Sequence, residues 1–93
     1  MYVEHYDTVA NTGVSVTLPV ESYAILVKNF TEGDIRITLD EKYNQNNYIL
    51  IPSQCSQELT INKRNELEYK FDKVGIYSES SNANGVEVQC IKF

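Results

Sequence analysis

Histidine occurs once in this sequence, as His5, and tryptophan is absent. A single histidine excludes any two-histidine metal site within one chain, and a histidine-based triad would have to use His5 itself. Cysteine is almost as scarce. Cys55 and Cys90 are too few for the disulfide framework of a small secreted domain and lack the close C-x-x-C spacing of a zinc site. They read as thiols in a reducing compartment, although a bond between them depends on a Cα separation below about 7 Å that the sequence does not fix. Basic residues are outnumbered, 8 Lys and Arg against 13 Asp and Glu, for a formal net charge of −5. That balance repels a phosphate backbone or an acidic lipid surface, so neither nucleic acid nor membrane is an expected partner. Long apolar runs are missing too. Tyr23-Ala24-Ile25-Leu26-Val27 falls far short of the roughly 20 residues of a spanning helix, and Met1 to Asp7 has neither the basic nor the apolar region of an export signal. A soluble chain made in the cytoplasm is expected.

The signatures of catalysis are absent as well: there is no G-x-x-x-x-G-K, G-x-G-x-x-G or G-x-S-x-G. Asp34 and Asp40 bracket one strand-like segment and, at about 3.3 Å per residue, sit roughly 20 Å apart, too far to act as a pair. Asp40-Glu41 lacks the spaced oxygen ligands of an EF-hand loop and reads as solvated loop charge. No enzyme activity, cofactor or metal is expected.

What is present is alternation with period two. The 93 residues suffice for one core, and 42% hydrophobic and 11% aromatic against 23% charged residues is a globular composition. Val14, Val16 and Leu18 alternate with Ser15 and Thr17 up to Pro19, which is expected to stop that strand. Ile35, Ile37 and Leu39 alternate with Arg36 and Thr38, and Leu67, Tyr69 and Phe71 with Glu66, Glu68 and Lys70. Tyr23 to Asn29, Tyr48 to Ile51 and Gln57 to Ile61 are further strands. The last pair, Lys73 to Ser78 and Val86 to Lys92, is expected to form a hairpin whose loop ends at Asn84-Gly85. The pattern predicts an all-β, single-domain antiparallel β-sandwich, jelly-roll or Ig-like, of about eight short strands. Residues 1–12 are expected to be an N-terminal arm, ordered by pairing with another subunit, and residues 13–93 the sandwich. The expected core is Ile35, Ile37, Leu39, Leu59, Ile61, Leu67, Tyr69, Val86 and Val88.

Two segments are apolar on both faces, although only one face of each sheet in a sandwich meets the core. Something should cover the other face, so Tyr23, Ile25 and Val27, with Tyr48, Ile49 and Leu50, are candidate interface residues. Ile91 and Phe93 at the C-terminal end and Tyr2 and Tyr6 in the arm join them. A separate candidate is carbohydrate stacking at Tyr43, Asn44, Asn46, Asn47 and Tyr48, where tyrosine rings flank amide groups in one loop.

The run Val27-Lys28-Asn29-Phe30-Thr31-Glu32-Gly33-Asp34-Ile35-Arg36-Ile37-Thr38-Leu39, then Tyr48-Ile49-Leu50-Ile51-Pro52, and the ending Ile76-Tyr77-Ser78 with Gly85-Val86-Glu87-Val88-Gln89 resemble small β-sandwich virion proteins of tailed bacteriophages. The likeness is one of overall style and covers nearly the whole length. It implies a non-enzymatic role on the particle, as a capsid decoration, head-fibre or neck and tail accessory protein. It also implies synthesis in the bacterial host cytoplasm, location on the virion, and partners that are copies of the chain and other virion proteins. No catalytic or ligand residues carry over. The alternative is a carbohydrate-binding β-sandwich module.

Overall fold

The computed structural model describes residues 2–39, 47–60 and 70–93. Among them the chain forms eight strands: β1 (Tyr2–Thr8), β2 (Thr12–Ser22), β3 (Ala24–Asn29), β4 (Ile35–Thr38), β5 (Ile49–Ile51), β6 (Ser56–Thr60), β7 (Phe71–Ser78) and β8 (Asn82–Lys92). They build two four-stranded antiparallel sheets, ordered β1-β8-β3-β6 and β2-β7-β4-β5. The pairing is nested: first strand with last, second with seventh, third with sixth, fourth with fifth. A chain folded into one long hairpin and rolled up gives this order, the jelly roll. The Ig-like alternative falls, because its sheets pair strands in a different order.

Period-two alternation supplies each sheet with an inner face. Ile25, Val27, Leu59, Val86, Val88 and Cys90 from one sheet meet Leu18, Ile35, Ile37, Ile51, Val74 and Ile76 from the other, all buried. Five expected core residues, Ile35, Ile37, Leu59, Val86 and Val88, are in that cluster, and Leu39 packs half-buried against it. Ile61, Leu67 and Tyr69 lie outside the described residues.

Four expectations are corrected. Ile25 and Val27 do not face outward: both are fully buried, opposite Cys90 and Val88 in the register, and Leu26 takes the outer face. The described part of the expected arm is not loose. Tyr2 to Tyr6 pair in continuous register with Cys90 to Val86, making β1 an edge strand of the same sheet. Pro19 does not end its strand, because β2 runs on to Ser22; instead the ladder to β7 is interrupted between Thr17 and Ser22, and a residue without an N–H costs nothing where no ladder bond is made. Finally, β7 and β8 lie in different sheets and form no hairpin. Asn84 has φ 51° within β8, in a bulge opposite Asp7 whose carboxylate accepts the Asn84 N–H at 2.8 Å.

Candidate functional site

The jelly roll gathers its connections at two ends. The β1–β2, β3–β4, β5–β6 and β7–β8 links share one end, held by side chains that replace ladder bonds. Asn29, buried at the end of β3, donates through Nδ2 to the carbonyls of Gly33 at 2.9 Å and Ile51 at 3.0 Å, and its Oδ1 accepts from the Thr31 N–H at 2.9 Å and hydroxyl at 2.6 Å. The Ser53 hydroxyl and the Gln54 amide reach the Thr31 carbonyl from the facing loop. Thr8 does similar work nearby: its hydroxyl donates to the Ser80 carbonyl and accepts the Asn82 N–H. Side-chain hydrogen bonds thus hold much of this end, while Val9 and Phe30 stand exposed in its links.

The outer faces of the sheets differ in chemistry. On the β2-β7-β4-β5 face the register aligns Gly13, Tyr77, Arg36 and Leu50 in one row. The Arg36 guanidinium lies 4.9 Å from the Tyr48 ring centroid and 5.1 Å from that of Tyr77, so a cation is held between two aromatic faces. Beyond it, β5 is the sheet edge among the described strands, and Tyr48, Ile49 and Leu50 are 40%, 37% and 49% exposed. A recess of about 230 Å³ opens beside them, lined by Ile37, Thr38, Leu39, Asn47, Tyr48 and Ile49.

On the opposite face charge dominates one half. Glu87 on β8 contacts His5 on β1 at 2.9 Å and Lys28 on β3 at 3.8 Å, and accepts from the Gln89 amide at 2.8 Å. The Gln89 hydrogen bond, with the neighbouring His5 and Lys28, holds the Glu87 carboxyl below its ordinary range against a smaller opposing effect of burial. Towards the termini this face turns apolar. Val3 and Leu26 flank Gln89 in one row. Tyr2 lies opposite inward-facing Cys90, and at the end of the sheet its ring meets Phe93 edge-on at a centroid distance of 5.1 Å.

The candidate interface residues therefore separate. Tyr48, Ile49 and Leu50 come together as an exposed edge, and Tyr2 and Phe93 as a second apolar spot with half-buried Ile91 on the strand beside it. Ile25 and Val27 belong to the core. Tyr23 is half-buried, with the Lys70 ammonium 5.0 Å from its ring centroid. Tyr6 packs against the core and donates its hydroxyl to the Thr17 carbonyl at 3.0 Å, tying β1 to β2 across the open side of the sandwich. Burial, with lesser contributions from Glu4 and Cys90, pushes that phenol up to about 12. Of the carbohydrate candidates, Asn47 and Tyr48 lie at the recess, while Tyr43, Asn44 and Asn46 lie outside the described residues. Cys55 is exposed and Cys90 buried, and both are free thiols.

The pairing of Arg36 with two tyrosines was missed in the sequence. Its signal was Arg36 on the outward side of the clearest alternating strand, but the aromatic partners come from β7 and from the residue preceding β5, which only the sheet order brings together. Comparison with protein-family models, with curated proteins and with solved structures returned no match.

Proposed function

We propose that this jelly roll is a non-enzymatic protein-binding module, a virion accessory protein of the tailed-phage kind, which attaches to copies of itself and to other particle proteins through exposed apolar edges. The observation that carries the reading is the cluster of Tyr48, Ile49 and Leu50 on a sheet edge, with Tyr2 and Phe93 as a second spot on the opposite sheet. Large apolar side chains grouped at an edge are what a protein partner buries, and the jelly roll is an architecture that capsid domains use. The fold by itself is an analogy, because the same architecture serves lectins and cupins. The virion context rests on the sequence resemblance. The test is co-sedimentation: the chain should band with particles purified from the cells that make it, in a fixed copy number by quantitative mass spectrometry. Absence from the particles overturns the reading.

A second reading rests on the recess beside Tyr48. A sugar ring stacked on that tyrosine, with Asn47 hydrogen-bonding its hydroxyls, would make the chain a carbohydrate-binding module. Glycan titration followed by amide shifts at Asn47 and Tyr48 separates the two; shifts confined to these residues on sugar addition would favour the sugar.

A further inference from the structure

We propose that β5 is a self-pairing edge: two copies of the chain join antiparallel along Ile49–Ile51, with the two-fold axis beside Leu50, so that two four-stranded sheets become one continuous sheet. The inference rests on the protein-binding reading above and names the partner at that site as a second copy.

Among the described strands, three of the four sheet edges carry devices that discourage pairing. β1 bears Glu4, His5 and Asp7, and the Tyr6 hydroxyl bridges it to β2. β2 bears Pro19 and Glu21, and β6 bears Glu58. Among the described strands, β5 alone of these edges has neither a charge nor a proline within its three residues, with Pro52 only after its end, and it leaves Ile49 and Leu50 more than a third exposed.

The sequence of this edge is complementary to itself. In Tyr48-Ile49-Leu50-Ile51-Pro52, antiparallel pairing centred on Leu50 sets Leu50 against its own copy, Ile49 against Ile51 of the second copy, and Tyr48 against Pro52 of the second copy. The pleat keeps these contacts on consistent faces. Ile49 and Ile51 extend the inner, apolar side, where Ile51 is already buried, while Leu50 joins Arg36 and Tyr77 in their outer row. A two-fold contact of this kind closes on itself and yields a dimer rather than a fibre.

Charge points the same way. The chain carries −5 overall, so two copies repel, yet this edge holds no acidic residue and Arg36 stands beside Leu50 on β4. In the joined sheet the two Arg36 residues sit three strand spacings apart, about 14 Å. That exceeds the Debye length of about 8 Å at physiological ionic strength, so their mutual repulsion is largely screened. Three residues make a short ladder, and association should therefore depend visibly on concentration and salt.

Light scattering across protein concentration and salt should show the mass rising from the 10.6 kDa of one chain towards twice that value. Leu50→Lys should hold the mass at that of one chain with an unchanged urea midpoint, since Leu50 points outward from an edge. Residues directly opposite in an antiparallel pair have Cα atoms about 4.5 to 5.5 Å apart, within reach of a disulfide. In a Cys55→Ser background, Leu50→Cys should then cross-link to a covalent dimer on mild oxidation at least about tenfold faster than Phe93→Cys. Equal rates at the two positions, or a wild-type mass that stays at one chain at high concentration and salt, would overturn the inference while leaving particle attachment intact. Selective cross-linking at position 50 in a chain absent from particles would uphold the pairing and overturn the virion reading instead.

Discussion

Replacing Asn29 with alanine should cost this small domain a large share of its stability. The side chain is 1% exposed and closes four hydrogen bonds, to the carbonyls of Gly33 and Ile51 and to the N–H and hydroxyl of Thr31. Not all of these count equally. The Thr31 hydroxyl also lies 2.8 Å from the Gly33 carbonyl, so those two groups can satisfy each other once Asn29 is gone. The Ile51 carbonyl and the Thr31 N–H lose their side-chain partners, and each buried group left without one costs about 1 to 3 kcal/mol. The expected loss is about 2 to 6 kcal/mol, against a total of roughly 5 to 15 kcal/mol for a domain of this class. Urea denaturation read by tyrosine fluorescence gives the number directly. Asn29→Asp is the sharper probe, because it keeps an acceptor for the Thr31 N–H but points a carboxylate at two carbonyls. It should be at least as destabilising as alanine at neutral pH. Relative to the wild type at the same pH, it should recover on acidification, when the protonated carboxyl regains one donor. A loss below about 1 kcal/mol for Asn29→Ala, or no relative recovery of Asn29→Asp in acid, would refute the claim that this hub holds the loop end together.

Four shorter tests follow from the same geometry. Ile25→Ala should destabilise by about 2 to 5 kcal/mol and Leu26→Ala by well under half as much, since the register buries the first and turns the second outward; the reverse order in urea midpoints would refute the face assignment. Gly85→Ala should cost about 1 to 3 kcal/mol, because a Cβ there would lie 2.8 Å from Thr31 Cγ2 and 3.0 Å from Asn82 Cβ, and a neutral result in thermal unfolding would show that the loops yield. Glu87 has a lowered carboxyl, so its contribution is fully present above the ordinary value of 4.5 and is lost as pH falls through the lowered one; Glu87→Gln should therefore flatten the acid limb of stability against pH. Tyr6 should be the late-titrating phenol in an ultraviolet titration, near pH 12, and because its neutral form is favoured in the fold, stability should fall as pH rises from 10 towards that value; Tyr6→Phe should abolish both effects.

Much of the secondary structure is legible from the chain alone. Alternation at Ile35, Ile37 and at Val86, Val88 marks strands whose inner side the structure confirms, and the number of short segments between turn residues announces a two-sheet sandwich. A pattern with period two names a strand and its two sets of side chains when one set is polar. Where both sets are apolar, as in Ala24 to Val27, it cannot say which set faces in. That choice came from pairing with β6 and β8, strands more than thirty residues later in the chain, which put Ile25 between Leu59 and Cys90.

The N-terminal strand shows the same limit from the other side. Tyr2 to Asp7 mixes aromatic, apolar and charged residues without a clean division, because an edge strand buries little of itself, and the segment reads as an arm until β8 supplies its ladder. The Asn29 hub and the Arg36 stack were likewise hidden, since Ile51, Tyr48 and Tyr77 reach them only through the nested order of strands. Sequence by itself determined that this chain makes short strands with one wet and one dry side, because side-chain direction along a strand is a local property of the backbone. Tertiary structure alone decided which strands neighbour one another, which apolar face is core and which edge stays open, because hydrogen bonding between strands is non-local and a register shift of one residue would exchange inside for outside.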